Sequence, residues 1–123
     1  MMPYEKLEAW KVSHELALEI YRVSDAWPKT ELYSLTSQTR RAALSIPTNM
    51  AEGIAKLGPR EFRRYLDMCL GSLSELSYLL LFSRDRGVLS TEEWKLLDRQ
   101  RNRAGQLVWR LYRAIQRNAR TAS

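Results

Sequence analysis

Apolar residues recur every three to four positions along almost the whole chain, which is the spacing of one helix face. Four such stretches follow one another. In the first, from about Leu7 to Trp27, Val12, Leu16, Ile20, Val23 and Trp27 form one stripe, and Trp10, Ala17, Tyr21 and Ser24 form a second beside it. A stripe that broad predicts burial on more than one side. Pro28 ends the stretch, because a proline drives the residue before it out of the α region. The second stretch runs from about Glu31 to Lys56, with Leu35, Thr39, Ala42, Ala43, Ile46, Met50 and Ile54 on one face. Pro47 interrupts it. Its ring crowds the carbonyl four residues back and it has no N–H to donate, so a kink is expected near Ser45–Ile46. The Ser45 and Thr48 hydroxyls are placed to hydrogen-bond the freed backbone groups. The small residues Ala42, Ala43, Ala51 and Gly53 predict a neighbouring backbone that approaches closely.

Gly58 and Pro59 separate the second stretch from a third, from about Arg60 to Arg86. There Phe62, Leu66, Cys69, Leu73, Leu76 and Leu80 face one way, and Tyr78-Leu79-Leu80-Leu81-Phe82 is apolar all round. A helix apolar on every side is buried on every side. In a chain this short that is easiest if a second subunit covers the outer face. Gly87 fits the left-handed cap that ends many helices. The fourth stretch opens with Ser90 and Glu93 at capping-box spacing and runs to about Asn118 over a core stripe of Leu97, Ala104, Val108, Leu111 and Ile115. The expectation is an all-α, up-down-up-down antiparallel four-helix bundle with its second helix kinked at Pro47. Residues 1–123 form one domain, with helices at about 7–27, 31–56, 60–86 and 91–118. β-branched runs, which would argue for strands, are absent.

Composition narrows the class. Hydrophobic residues make up 45% of the chain, enough for a packed core. The N-terminus MMPYEKLEAW has no apolar signal core, and no apolar run reaches the ~20 residues of a membrane span. A lone cysteine, Cys69, excludes an intrachain disulfide and fits a reducing cytoplasm. These features predict a cytoplasmic protein with no membrane association.

Charge changes the picture more. The net charge is +6, and residues 99–123 carry seven arginines and no acid. Before residue 99, basic and acidic side chains nearly cancel. At ~100° per residue, Arg99, Arg103, Arg110, Arg113, Arg117 and Arg120 fall in an arc of about 100° opposite the core stripe. Guanidinium groups contact phosphates through paired hydrogen bonds, so this row is the candidate nucleic-acid face. The plainer reading is a solvated outer side, helped by favourable cations near a helix C-terminus. The aromatics Trp10, Tyr21, Trp27, Tyr33, Trp94, Trp109 and Tyr112 are at helical spacing, where core or interface roles outnumber stacking on bases.

A second polar set, Arg40, Arg41, Asn49, Glu52 and Glu75, lies close to apolar positions. It reads as a structural network or as subunit contacts. Glu75 falls within the apolar part of the third helix, where an unpaired carboxylate is costly, so Arg40 or Arg41 is its expected partner. No catalytic constellation accompanies it. The ferritin-like di-iron pattern needs Glu-x-x-His on two helices, and the sole histidine, His14, is followed by Glu15. The five glycines form no phosphate-cradling loop. No cofactor and no metal are expected.

Several segments together resemble a known family. They are Leu7-Glu8-Ala9-Trp10-Lys11, then Trp27-Pro28 with Glu31, Tyr33, Leu35 and Gln38. Next comes Arg40-Arg41-Ala42-Ala43, followed by Ser45-Ile46-Pro47-Thr48-Asn49-Met50-Ala51-Glu52-Gly53, of which the run from Ser45 is the specific part. Phe62 with Tyr65-Leu66, and Gly71-Ser72-Leu73 with Glu75-Leu76, add support. Over about residues 4 to 118 the chain resembles the bacterial four-helix-bundle proteins encoded in intervening sequences of large-subunit (23S) ribosomal RNA genes. Met50 stands where isoleucine is commoner. The resemblance implies a cytoplasmic homopentamer with no established reaction. A looser likeness extends to accessory proteins of diversity-generating retroelements, which share the bundle and pentamer and bind nucleic acid and a reverse transcriptase.

The expected function is that of a non-enzymatic homo-oligomer, a pentamer by the resemblance, that binds RNA or DNA through the arginine row. The alternative is an adaptor whose partner is another bacterial protein and which has no nucleic-acid ligand.

Overall fold

The computed structural model describes the backbone of residues 1–122 and the side chains of residues 1–117. It is all-helical, with four main helices and no strand among the described residues. They are α1 (Glu8–Ser24), α2 (Ser37–Ile54), α3 (Pro59–Arg86) and α4 (Thr91–Ala122). They pack as a helical bundle in which α1 and α3 each lie against both α2 and α4.

The ends of the helices follow from local chemistry. α1 stops at Ser24, three residues before the expected Trp27. The amides of Ala26 and Trp27 fold back onto the carbonyls of Val23 and Ser24, tightening the chain ahead of Pro28. The chain then makes a 3₁₀ turn at Lys29–Glu31 and a π turn at Leu32–Thr36 before regular α geometry begins at Ser37. The sequence pattern, continuous from Glu31, does not distinguish a π turn from an α turn. Gly58 takes φ +87° and Pro59 supplies the first residue of α3, where a missing N–H costs nothing. Gly87 closes α3 at φ +86° with its N–H directed at the carbonyls of Ser83 and Arg84. The amide of Glu93 donates to Ser90 Oγ at 3.1 Å and the Ser90 hydroxyl donates to Glu93 Oε1 at 3.2 Å, which starts α4.

The core runs the length of the bundle. Leu16, Ile20, Ile46, Met50, Leu66, Leu76, Leu80, Leu97 and Val108 are its largest sealed apolar side chains. Leu111 and Ile115, expected within it, are only half-buried at its edge. α2 and α3 approach each other closely at Gly53. A Cβ at Gly53 would lie 2.5 Å from Tyr65 Cβ. The hydroxyls of Ser45 and Ser72 meet across the same seam at 2.5 Å. Around Pro47 the hydroxyls turn inward on their own helix: Ser45 donates to the Ala42 carbonyl and Thr48 to the Leu44 carbonyl, at 2.9 and 2.8 Å.

One feature of α3 departs from expectation. By length and composition it is apolar enough to cross a membrane, although no long uninterrupted apolar run stands out in the sequence. Its buried side carries core residues, as the central helix of a bundle does. Tyr78, Leu81 and Phe82 are exposed, while Leu79 and Leu80 between them are buried. Within one chain, the all-apolar segment is therefore covered on one side only.

Candidate nucleic-acid interface

α4 is amphipathic with a narrow buried stripe, so most of its circumference is free to carry charge. Leu97, Ala104 and Val108 point inward, and Arg99, Arg103, Arg110, Arg113 and Arg117 are exposed. The side chain of Arg120, the sixth member of the row, lies outside the described residues. Arg103 reaches Glu8 of α1 at 3.7 Å, a loose contact between two exposed groups. Arg101 is half-buried and pairs with Asp98 at 2.8 Å. Trp109, 48% exposed, stacks on Tyr112 with ring centroids 5.7 Å apart and planes 8° apart, and the Arg113 guanidinium lies 5.9 Å above the Trp109 ring. Arginines and an exposed indole thus share one side of the helix.

The other polar set does not come together. Arg40 belongs to the α1–α2 contact: it pairs with Asp25 at 2.8 Å, donates to Ser24 Oγ at 2.8 Å and lies over the Tyr21 ring. Asn49 donates to the Ser45 carbonyl of its own helix at 2.8 Å, and Glu52 is exposed. Glu75 is exposed rather than buried, and neither Arg40 nor Arg41 reaches it. The expected Glu75 ion pair is therefore corrected. The Ser45–Ser72 hydroxyl pair sits in the α2–α3 seam, leaving Arg41 and Glu75 on the walls of an open groove of about 500 Å³ with Gln38, Ala42, Ser45 and Ser72. A second groove of about 420 Å³ shares Gln38 and continues along Leu35, Tyr78, Leu79 and Phe82, to the Glu31–Arg86 pair at 3.6 Å.

Sequence reading missed a third basic feature. Arg60, Arg63 and Arg64, from the first turns of α3, line a cleft of about 410 Å³ with Asp67 and with Tyr112 of α4. Lys56 lies 5.7 Å from the centre of the Tyr65 ring and Arg64 4.9 Å from it. Glu61 grips Arg64 at 3.2 Å and raises its pKa above the ordinary arginine value, chiefly by that hydrogen bond. The signal was present as three arginines within five residues. It was averaged away because Glu75, Asp85, Glu92, Glu93 and Asp98 follow in sequence but stand elsewhere in the fold.

No metal-ligating group of three or more His, Cys, Asp or Glu exists among the described residues. Cys69 is sealed in the core with its thiol 3.3 Å from the Ile46 carbonyl, and burial pushes its pKa up to about 12.

Among known proteins, a family model described as 23S rRNA-intervening sequence protein matches residues 5–110. A search of curated proteins found no match.

Proposed function

The chain belongs to the 23S rRNA-intervening sequence protein family, and from that premise we propose a non-enzymatic cytoplasmic scaffold that binds RNA or DNA. Its helices run up-down-up-down and antiparallel, with α2 kinked at Pro47. Cross-helix pairs support the reversals. Gly53, late in α2, meets Tyr65 early in α3. Glu31, ahead of α2, meets Arg86 at the end of α3. Arg84 lies over Trp94, and Arg103 reaches back to Glu8.

Copies of the chain gather into a homo-oligomer, a pentamer by the resemblance. The exposed Tyr78, Leu81 and Phe82, beside the uncompensated Arg41 and Glu75, support a partner surface on the α2–α3 side. The observation that carries the ligand is the exposed arginine row on a segment of chain with no acid. Each copy added to the assembly multiplies the phosphates that are neutralised and the counterions released.

The test is fluorescence anisotropy with generic RNA and DNA across a salt series. Binding is expected to weaken linearly in log–log coordinates as salt rises. The double variant Arg110→Glu, Arg117→Glu is expected to lose most of it. Absence of binding at low salt, or binding indifferent to those two changes, overturns the ligand. A co-purifying protein that survives nuclease treatment would then favour the adaptor reading.

A further inference from the structure

The cleft at the start of α3 adds cations that the α4 row lacks, and it adds them beside an exposed aromatic step. Arg60 is exposed and Arg63 half-buried, and neither has an ion pair or hydrogen bond among the described residues, whereas Arg64 is held by Glu61. Asp67 lines the same cleft without an ion pair to either, so both guanidiniums are left to solvent, and their planar forks suit an incoming phosphate. The opposite wall is Tyr112, and Trp109 lies flat against it one turn earlier on α4. Trp109 is the most exposed tryptophan: Trp27 is buried, and Trp10 and Trp94 are half-buried.

We propose that the Arg60–Arg63 cleft and the Trp109–Tyr112 step form one site for single-stranded nucleic acid. The two guanidiniums hold neighbouring phosphates, and an unpaired base stacks on the Trp109 indole. This rests on the reading of the α4 row as a nucleic-acid face, and adds residues from a second helix and the strandedness of the ligand. Strandedness follows from the indole. Stacking needs the face of a base, and a duplex presents only base edges and phosphates at its grooves. A duplex would engage the arginines and leave Trp109 idle.

The experiment uses the full chain with oligouridylate and oligodeoxythymidylate of about 20 nucleotides, the length scale of one or two single-strand sites, and a duplex of equal length. Anisotropy and intrinsic tryptophan emission are read together. Both single strands are expected to bind more tightly than the duplex and to quench the emission. A preference between them, which differ in the sugar and in the base methyl group, leaves the proposal standing. Trp109→Ala is expected to weaken single-strand binding about tenfold, the size of one lost stack. Trp109→Phe retains most of the affinity but loses the quench, which a merely structural role for the residue would not produce. Arg60→Ala with Arg63→Ala is expected to flatten the salt slope by about 1.4, the value for two phosphates on a single strand. Arg63→Lys by itself keeps both cations and is expected to leave that slope nearly unchanged. Thermal melts followed by circular dichroism verify that each variant is folded.

The proposal is overturned if the duplex binds as well as the single strands, or if the Arg60, Arg63 and Trp109 variants bind like the parent. If Arg110→Glu with Arg117→Glu still abolishes binding in that second case, the α4 row survives and only the cleft falls. A parent protein that binds no nucleic acid at all removes both.

Discussion

At Gly53 an added Cβ would stand 2.5 Å from Tyr65 Cβ and 3.1 Å from the Phe62 ring. The first of those is fixed to a backbone, so α2 and α3 must separate to admit a methyl group. Gly53→Ala is therefore expected to destabilise by about 1–3 kcal/mol, the range for overpacking, despite alanine's better helix propensity. A denaturant midpoint at or above the parent value would contradict it. Gly53 was marked as a place of close approach, whereas at Gly71, just as small and also inside a helix, nothing lies within 4 Å of an added Cβ. Which glycine meets a neighbour depends on where two helices cross, and that is not a local property. Cys69 was legible, because its place in the stripe of α3 fixes its burial. Its pKa is raised from about 9 to about 12, so the native state holds the thiol proton more tightly than the unfolded chain does. Stability from that difference is complete below pH 9 and is lost as pH climbs toward 12, at up to about 1.4 kcal/mol per pH unit. Urea titrations between pH 9 and 11 should show Cys69→Ala losing stability less steeply than the parent. Equal slopes would refute the assignment. Glu75 was misplaced, since helical spacing placed it among leucines without showing that its own direction faces water.

Both ends of α3 and the start of α4 were legible, because caps are encoded by a few residue types with one geometric task each. Gly58 and Gly87, at φ +87° and +86°, hold the two bends that bracket α3. Alanine at either must adopt a left-handed or mirror-extended backbone. Gly87→Ala is expected to cost about 1–2 kcal/mol, and Gly58→Ala, whose ψ of 158° lies in the glycine-only region, at least as much, about 1–3 kcal/mol. Chemical denaturation of both variants tests the order, and a neutral Gly58→Ala would show that the bend relaxes. The start of α2 was not legible. A π turn at Leu32–Thr36 differs from an α turn by one residue of hydrogen-bond offset, and apolar periodicity over five residues cannot register that. The basic cleft escaped for the opposite reason. Arg60 and Arg63 are plain in the sequence, but their neighbours across the cleft are about fifty residues away, on α4.

On the scale of the whole molecule, the covered side of α3 and its uncovered side make different demands. One chain buries Leu79 and Leu80 and leaves Tyr78 63%, Leu81 36% and Phe82 43% exposed. Beside Tyr78 and Phe82, Leu35 and Gln38 of the α2 side line the same groove, and Arg41 and Glu75 line a second open groove without pairing. A second copy would desolvate the apolar patch and offer each charge a partner. Tyr78→Glu with Phe82→Glu should therefore lower the native mass to that of one chain without unfolding it, because neither side chain belongs to the core. Light scattering and circular dichroism on the same sample distinguish assembly from folding. The arginine row makes this more than a solubility experiment. If copies gather through α2 and α3, the α4 faces are held together, and a nucleic acid that touches several of them binds with an effective concentration that a lone copy lacks. The two carboxylates introduced at positions 78 and 82 lie against the α2 side rather than on the arginine face of α4, so a purely local effect on a phosphate contact should be small. The expected result is a loss of affinity well beyond tenfold, with a flatter salt slope, accompanying the loss of mass. A variant that becomes monomeric yet binds RNA or DNA with the parent's affinity and salt slope would show that the arginine row acts one chain at a time.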